Sequence, residues 1–194
     1  MDRLIPAIEA IAKLPEVEGK LLSVDTFYSK VASEAVSKGI HLVNDISGGH
    51  LDSEMFNVVA HLKVPYIVMH MRGDPSTMQT NENLHYEDVC KQVASELYTR
   101  VREAELSGIP SWRMIIDPDI GFSKKNEDNL EILMGLSTIR EELSFKSLAA
   151  SHAPIVIGPS RKKFLVYICS RPNASSGLYA FFLFYMRHRV YTVI

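Results

Sequence analysis

Cysteine is scarce in this chain. Cys90 and Cys169 are its two cysteines, 79 positions apart, and neither belongs to a C-x-x-C pair. That excludes a disulfide-stapled scaffold and a cysteine zinc cluster, and both residues read as reduced thiols. Charge of one sign is also lacking: the formal net charge is −2 over 194 residues. No electrostatic footprint for nucleic acid or an anionic membrane follows. The longest apolar run, Leu178 to Met186, is too short to span a bilayer, even with Arg187, His188 and Arg189 behind it. No G-x-G-x-x-G or P-loop is present, which argues against common nucleotide sites. The 7 histidines form no H-E-x-x-H, so no metal site is expected from them. Met1 to Pro6 lacks the basic-then-apolar order of a signal peptide, and Asp2 and Glu9 come early for a transit peptide. No targeting segment is expected in this chain. The sequon Asn173-Ala174-Ser175 reads as chance.

What is present is an alternation. Leu4, Ile5, Ile8 and Ile11 recur at helical spacing. Leu21 to Asp25 is a short apolar strand ending in a carboxylate, and Thr26 is the expected N-cap of a helix with Val31, Ala32, Ala35 and Val36 on one face. Gly39 is its expected C-terminal stop. The unit repeats: strand His41 to Ile46, then a helix capped by Asp52 with Met55, Phe56, Val59 and Leu62 inward. Strand Pro65 to Met69 follows, then a helix with Val89, Val93, Leu97 and Val101, ended by Gly108. Strand Met114 to Ile116 precedes a helix carrying Leu130, Leu133 and Met134, and Ile155 to Ile157 is a fifth strand. Strands that alternate with helices build a parallel sheet, and uniformly apolar strands are buried on both faces. The pattern fits part of a (β/α)₈ barrel, whose active site lies at the C-terminal rim of the strands. A doubly wound open sheet also places ligands there and is not excluded by pattern alone.

Polar residues close every strand. Ser23-Val24-Asp25-Thr26, Asn44-Asp45-Ile46-Ser47-Gly48-Gly49, Met69-His70-Met71-Arg72-Gly73-Asp74-Pro75, Asp117-Pro118-Asp119-Ile120-Gly121-Phe122 and Gly158-Pro159-Ser160-Arg161-Lys162 occur in this order. Singly, each has a plainer reading: Asp25 as a helix cap, Asn44-Asp45 and Asp117-Pro118 as turns, Met71 as core filler. Jointly they resemble the central signature of dihydropteroate synthases, most closely the synthase domain of plant bifunctional enzymes, over roughly residues 2–173. Residues 174–194 form a hydrophobic tail with no counterpart in that signature.

The resemblance implies an incomplete TIM (β/α)8 barrel, with about five of eight βα units. It implies condensation of 6-hydroxymethyl-7,8-dihydropterin pyrophosphate with p-aminobenzoate, releasing pyrophosphate. Asp117 would accept paired N–H bonds from the pterin, a task that suits a carboxylate. Asn44 would offer a donor and an acceptor to mixed ring edges. Asp25 would take a ring N–H and stabilise developing positive charge. Lys162 would approach the pterin carbonyl edge; it and Asp25 are the catalytic candidates. Met71 would lie on the ring face, Phe122 would wall the aminobenzoate pocket, and Ser160 would lie near that substrate's carboxylate. The resemblance implies a homodimer, and the cytosol or mitochondrial matrix is the expected compartment. Mg²⁺ is implied by the family, but its protein ligand, an asparagine of the family's first strand, is missing from this chain.

The chain departs from the family in three respects. It lacks the first two strand motifs and the final Arg-x-His strand, so it is expected to be truncated at both ends and weak or inactive alone. Asp119 also stands where the family shows glycine. Repulsion from Asp119 is expected to raise the pKa of a neighbouring carboxyl. Two other functions fit the sequence: a non-catalytic pterin-binding or dimerising remnant, and the pterin-binding domain of a corrinoid methyltransferase. The Met69-His70-Met71 and Ser160-Arg161-Lys162 motifs favour the synthase over the methyltransferase.

Overall fold

The computed structural model describes residues 4–159, 162, 164 and 165. The tail and Ser160 lie outside them. Four strands form one sheet: β1 (Ser23–Asp25), β2 (Leu42–Asp45), β3 (Tyr66–Met69) and β4 (Met114–Asp117). All neighbours are parallel and the order is strictly consecutive, β1-β2-β3-β4. A doubly wound sheet reverses its order at a switch point; the described strands do not, as a barrel requires. β3 is buried at every position, the expected state of a strand covered on both faces.

The expected fifth strand is reduced to a single bridge. Ile116 N–H donates to Pro154 O and Val156 N–H to Ile116 O, both at 2.9 Å, and the Ile116–Ile155 bridge sits between them. The segment takes the next sheet position, but Pro154 has no N–H with which to lengthen the ladder.

The helices are α1 (Leu4–Ile11), α2 (Ser29–Ser37), α3 (Met55–Leu62), α4 (Val89–Leu106), α5 (Asn126–Met134), α6 (Leu136–Lys146) and α7 (Leu148–His152). Helix α4 is the main brace. Val93, Leu97 and Val101, spaced by four, are buried in the core. Asp88 caps it by accepting from Lys91 N–H. Gly39 and Gly108 end α2 and α4 as expected, with φ of 102° and 95°.

Three local expectations need correction. Thr26 does not cap α2; its hydroxyl accepts from Tyr28 N–H in a turn, and the helix starts at Ser29, whose N–H donates to Asp52. Asp52 therefore bridges two units: its other oxygen accepts from Glu54 N–H, and α3 begins one residue later. In α5 the buried residues are Asn129 and Ile132, while Leu130 and Met134 face solvent.

Helices α6 and α7 were not legible in the sequence. α6 packs against α4, and Gly135 at its start permits the approach. A Cβ there would overlap Cys90 Sγ and sit 2.9 Å from Glu131 O. Gly135→Ala should cost about 1–3 kcal/mol of unfolding free energy in urea, and Cys90→Ala in the same chain should recover part of it. An unchanged midpoint for Gly135→Ala would show that the helices are free to separate. Cys90 is itself buried, and burial pushes its thiol up to about 11, in keeping with an inert, protonated side chain.

Candidate active site at the strand ends

The parallel register places Asp25 beside Asn44, and Met69 beside Asp117. Hydrogen bonds continue past the strands, with Thr26 N–H on Asn44 O and His70 N–H on Asp117 O. The C-terminal ends of β1, β2, β3 and β4 therefore form one polar rim. A separate hollow lined by Leu14, Lys20, Leu22 and His41 lies at the opposite rim, away from these carboxylates.

Asp25 keeps a solvent-exposed side. Burial and the Asp45 carboxylate push its pKa up, while Lys162 and a hydrogen bond from Asn44 pull it back. Asn44 Oδ1 is buried and has no hydrogen-bond partner among the described residues. Next to it, Asp45 is saturated: it accepts from Ser47 N–H, the Ser47 hydroxyl, Gly49 N–H and the Tyr66 hydroxyl. The turn reading of Asn44-Asp45 thus holds for Asp45, whereas Asn44 is left with an acceptor to fill.

Asp117 is 9% exposed. Its Oδ1 accepts from Asp119 N–H at 2.8 Å. Burial first, and the Asp119 charge second, push its carboxyl up to about 7. The expected repulsion is present but is not the leading cause. Asp119 is itself buried, which raises its pKa, and Lys124 and Lys162 counter that rise. Met71 is buried beside the rim and Phe122 is half-buried. Lys162 Nζ lies 4.4 Å from the Phe122 ring centroid, close enough for a cation–π contact. The structure thus brings Asp25, Asn44, Met71, Asp117, Phe122 and Lys162 to one rim.

A second set of residues gathers around Lys124 and Glu96, neither of which had a signal in the sequence. Lys124 is 3% exposed, and its Nζ reaches His70 Nδ1 at 3.1 Å, Phe122 O at 3.1 Å and Asp119 Oδ2 at 3.3 Å. Its three N–H donors are all used. His70 Nε2 lies 2.9 Å from Glu96 on α4. Burial, then the Lys124 charge, lowers His70 to about 4. A neutral ring with its proton on Nε2 satisfies both partners, donating to Glu96 and accepting from Lys124. Burial works against the Glu96 charge, but hydrogen bonds from His70 and Arg72 hold its carboxyl down to about 2. Arg72 also lies 3.8 Å over the Tyr86 ring. The chain Asp119–Lys124–His70–Glu96–Arg72 thus ties the loop after β4 to β3 and α4. By sequence alone, Lys124 could not be told from exposed Lys125.

Among the described residues, no group of three His, Cys, Asp or Glu side chains could hold a metal ion.

Known proteins share this sequence and arrangement. A family model described as pterin binding enzyme matches residues 1–188. The mitochondrial folate synthesis bifunctional protein of Pisum sativum is 68% identical over 174 residues, covering 90% of this chain and 34% of that protein. A folate synthesis bifunctional protein of Arabidopsis thaliana is 61% identical, over 90% of this chain and 36% of that protein. The chain thus spans about a third of the length of these curated relatives. Among solved structures, Xanthomonas albilineans dihydropteroate synthase in complex with 7,8-dihydropteroate superposes with a TM-score of 0.73 at 30% identity, over 92% of this chain and 59% of that one. Thermus thermophilus dihydropteroate synthase in complex with 6HMPPP gives 0.73 at 33%, over 88% and 61%. The consecutive parallel strands are therefore part of a TIM barrel, and with a family match along nearly its whole length the chain belongs to the pterin binding enzymes.

Proposed function

We propose that the strand-end cluster is a pterin slot and that it serves dihydropteroate synthesis: condensation of 6-hydroxymethyl-7,8-dihydropterin pyrophosphate with p-aminobenzoate. The observation that carries this reading is the buried Asn44 Oδ1, which has no partner among the described residues and sits beside Asp25, two strands from Asp117 on the same rim. A buried acceptor without a partner costs free energy until a donor arrives. A flat ring with several N–H groups supplies donors to all three residues at once. Asp117 would take the paired N–H edge with its two carboxylate oxygens, Oδ1 keeping Asp119 N–H on its other lone pair. Asn44 and Asp25 would take the remaining ring nitrogens, and Lys162 would donate to the carbonyl edge. Met71 would pack on the ring, its thioether adapting to the face. In the reaction, the arylamine nitrogen bonds to the exocyclic carbon as that carbon's bond to the pyrophosphate oxygen breaks. Asp25 would stabilise the positive charge that develops, and the amine proton would pass to water. Phe122 would wall the aminobenzoate side, and Ser160, outside the described residues, would face its carboxylate.

The relatives' names support the synthase over the methyltransferase reading, since those cited are folate-synthesis proteins and dihydropteroate synthases. The pea relative is named mitochondrial, which supports the matrix as compartment; the cytosol is the alternative. No helix among the described residues is long and apolar enough to cross a membrane. A homodimer and Mg²⁺ carried on the pyrophosphate complete the proposal.

The test is direct binding. Titration calorimetry with 6-hydroxymethylpterin should show binding by the wild-type chain. Asp117→Ala and Lys162→Ala should each weaken it by about 1.5–3 kcal/mol, the usual effect of losing a hydrogen bond to a charged group. Equal affinity in all three proteins would remove these residues from the slot.

A further inference from the structure

Asp119 has a φ of 62°, in the left-handed region that a non-glycine residue holds only when its surroundings fix it. Its own side chain helps to do so. Oδ2 accepts from Phe122 N–H at 2.7 Å, while its amide donates to Asp117. The carboxylate is 3% exposed and lies between two ammonium groups, with Lys124 Nζ 3.3 Å from Oδ2 and Lys162 Nζ 3.8 Å from Oδ1. Lys124 is locked in the interior by its other partners. Lys162 is not: its side chain is 26% exposed. Its stem crosses bare backbone at Gly121, where an added Cβ would come within 2.9 Å of Lys162 Cδ. Its ammonium ends over the Phe122 ring.

We infer that Asp119 is a positioning residue that draws Lys162 onto the Phe122 face, so that a pterin engages Lys162 only by competing with a carboxylate built into the slot. This rests on the pterin reading of the rim. The same pair also sets where Phe122 stands, because the Asp119 carboxylate holds the Phe122 amide while the Lys162 ammonium covers its ring.

The experiment has one arm without ligand and one with it. Competitive acetylation of the full chain with acetic anhydride, read by peptide mass spectrometry, reports the Lys162 amine against exposed Lys13. Asp119→Asn should raise Lys162 labelling about threefold, the size expected when a partly exposed ion pair is removed. Since Asp119→Asn also strips Lys124 of its carboxylate, Lys124→Met/Asp119→Asn is measured beside it and should show the same rise. Unchanged labelling in both variants overturns the inference. In the second arm, fluorescence titration with 6-hydroxymethylpterin should show tighter binding by Asp119→Asn. That gain should shrink by about threefold in a Lys162→Met background. An equal gain in both backgrounds means that Asp119 acts only on Asp117, and overturns the inference. Absence of binding by the wild type overturns the pterin reading instead, and the acetylation arm then decides the Asp119–Lys162 pair.

Discussion

Asp117→Asn should make the protein more stable at pH 8 and less able to bind a pterin. The Asp117 carboxyl titrates at about 7 in the folded chain, against an ordinary value of 3.8. A raised folded pKa contributes stability that is complete below 3.8 and is lost as pH rises through 7. A shift of this size corresponds to something on the order of 4 kcal/mol, since each unit is worth about 1.4 kcal/mol. Asparagine keeps the acceptor for Asp119 N–H and never ionises. The stability difference, variant minus wild type, should therefore grow in the variant's favour by several kcal/mol between pH 4 and pH 8. His70 works in the opposite sense. Its pKa falls from 6.5 to about 4, so its contribution is present above 6.5 and lost as pH falls through 4. In the wild type the two slopes partly cancel; in Asp117→Asn the fall toward acid should stand out. Urea unfolding across this range checks both. A stability difference that stays flat with pH would mean that Asp117 is not held against its charge. The functional side follows from chemistry: asparagine cannot accept two N–H bonds with the paired oxygens of a carboxylate, so a more stable variant should bind 6-hydroxymethylpterin more weakly.

Lys124→Met should be the most damaging single change at this end of the barrel. Lys124 and Asp119 form a buried pair, with side chains 0% and 3% exposed. Removing one partner strands the other, and breaking such a pair typically costs about 3–5 kcal/mol. It also leaves His70 Nδ1 without its donor. Adding Asp119→Asn should recover a large part of the loss, because the stranded charge is then gone; replacing both ions of a buried pair is often nearly neutral. The two single variants and the double form a cycle whose coupling is read from urea midpoints at constant slope. Additive losses would show that the lysine and the aspartate do not sense each other. His70 gives a second reading of the same brace. Without Lys124 it loses a charge that depresses its pKa, so its NMR titration should move upward.

Much of this was fixed by local rules. The periodic apolar residues of α4, the stops at Gly39 and Gly108 and the β-branched strands are nearest-neighbour matters, and the sequence alone placed them. It also placed Asp25, Asn44 and Asp117 at strand ends, since a parallel strand that leaves the core must meet polar groups there. It did not decide between a barrel and an open sheet, because both put polar residues at the same ends; the order β1-β2-β3-β4 did. It suggested caps at Thr26 and Asp52, yet Asp52 serves Ser29, 23 residues away, a link that only chain reversal creates. Repulsion between Asp117 and Asp119 could be foreseen from their spacing. That burial would outweigh it, and that Lys124 would arrive with a counter-charge, could not. Whether a lysine is a solvated tip or a buried cross-brace depends on what surrounds its ammonium. Here those groups come from Asp119, Phe122 and His70, brought together where the loop after β4 folds against the end of β3.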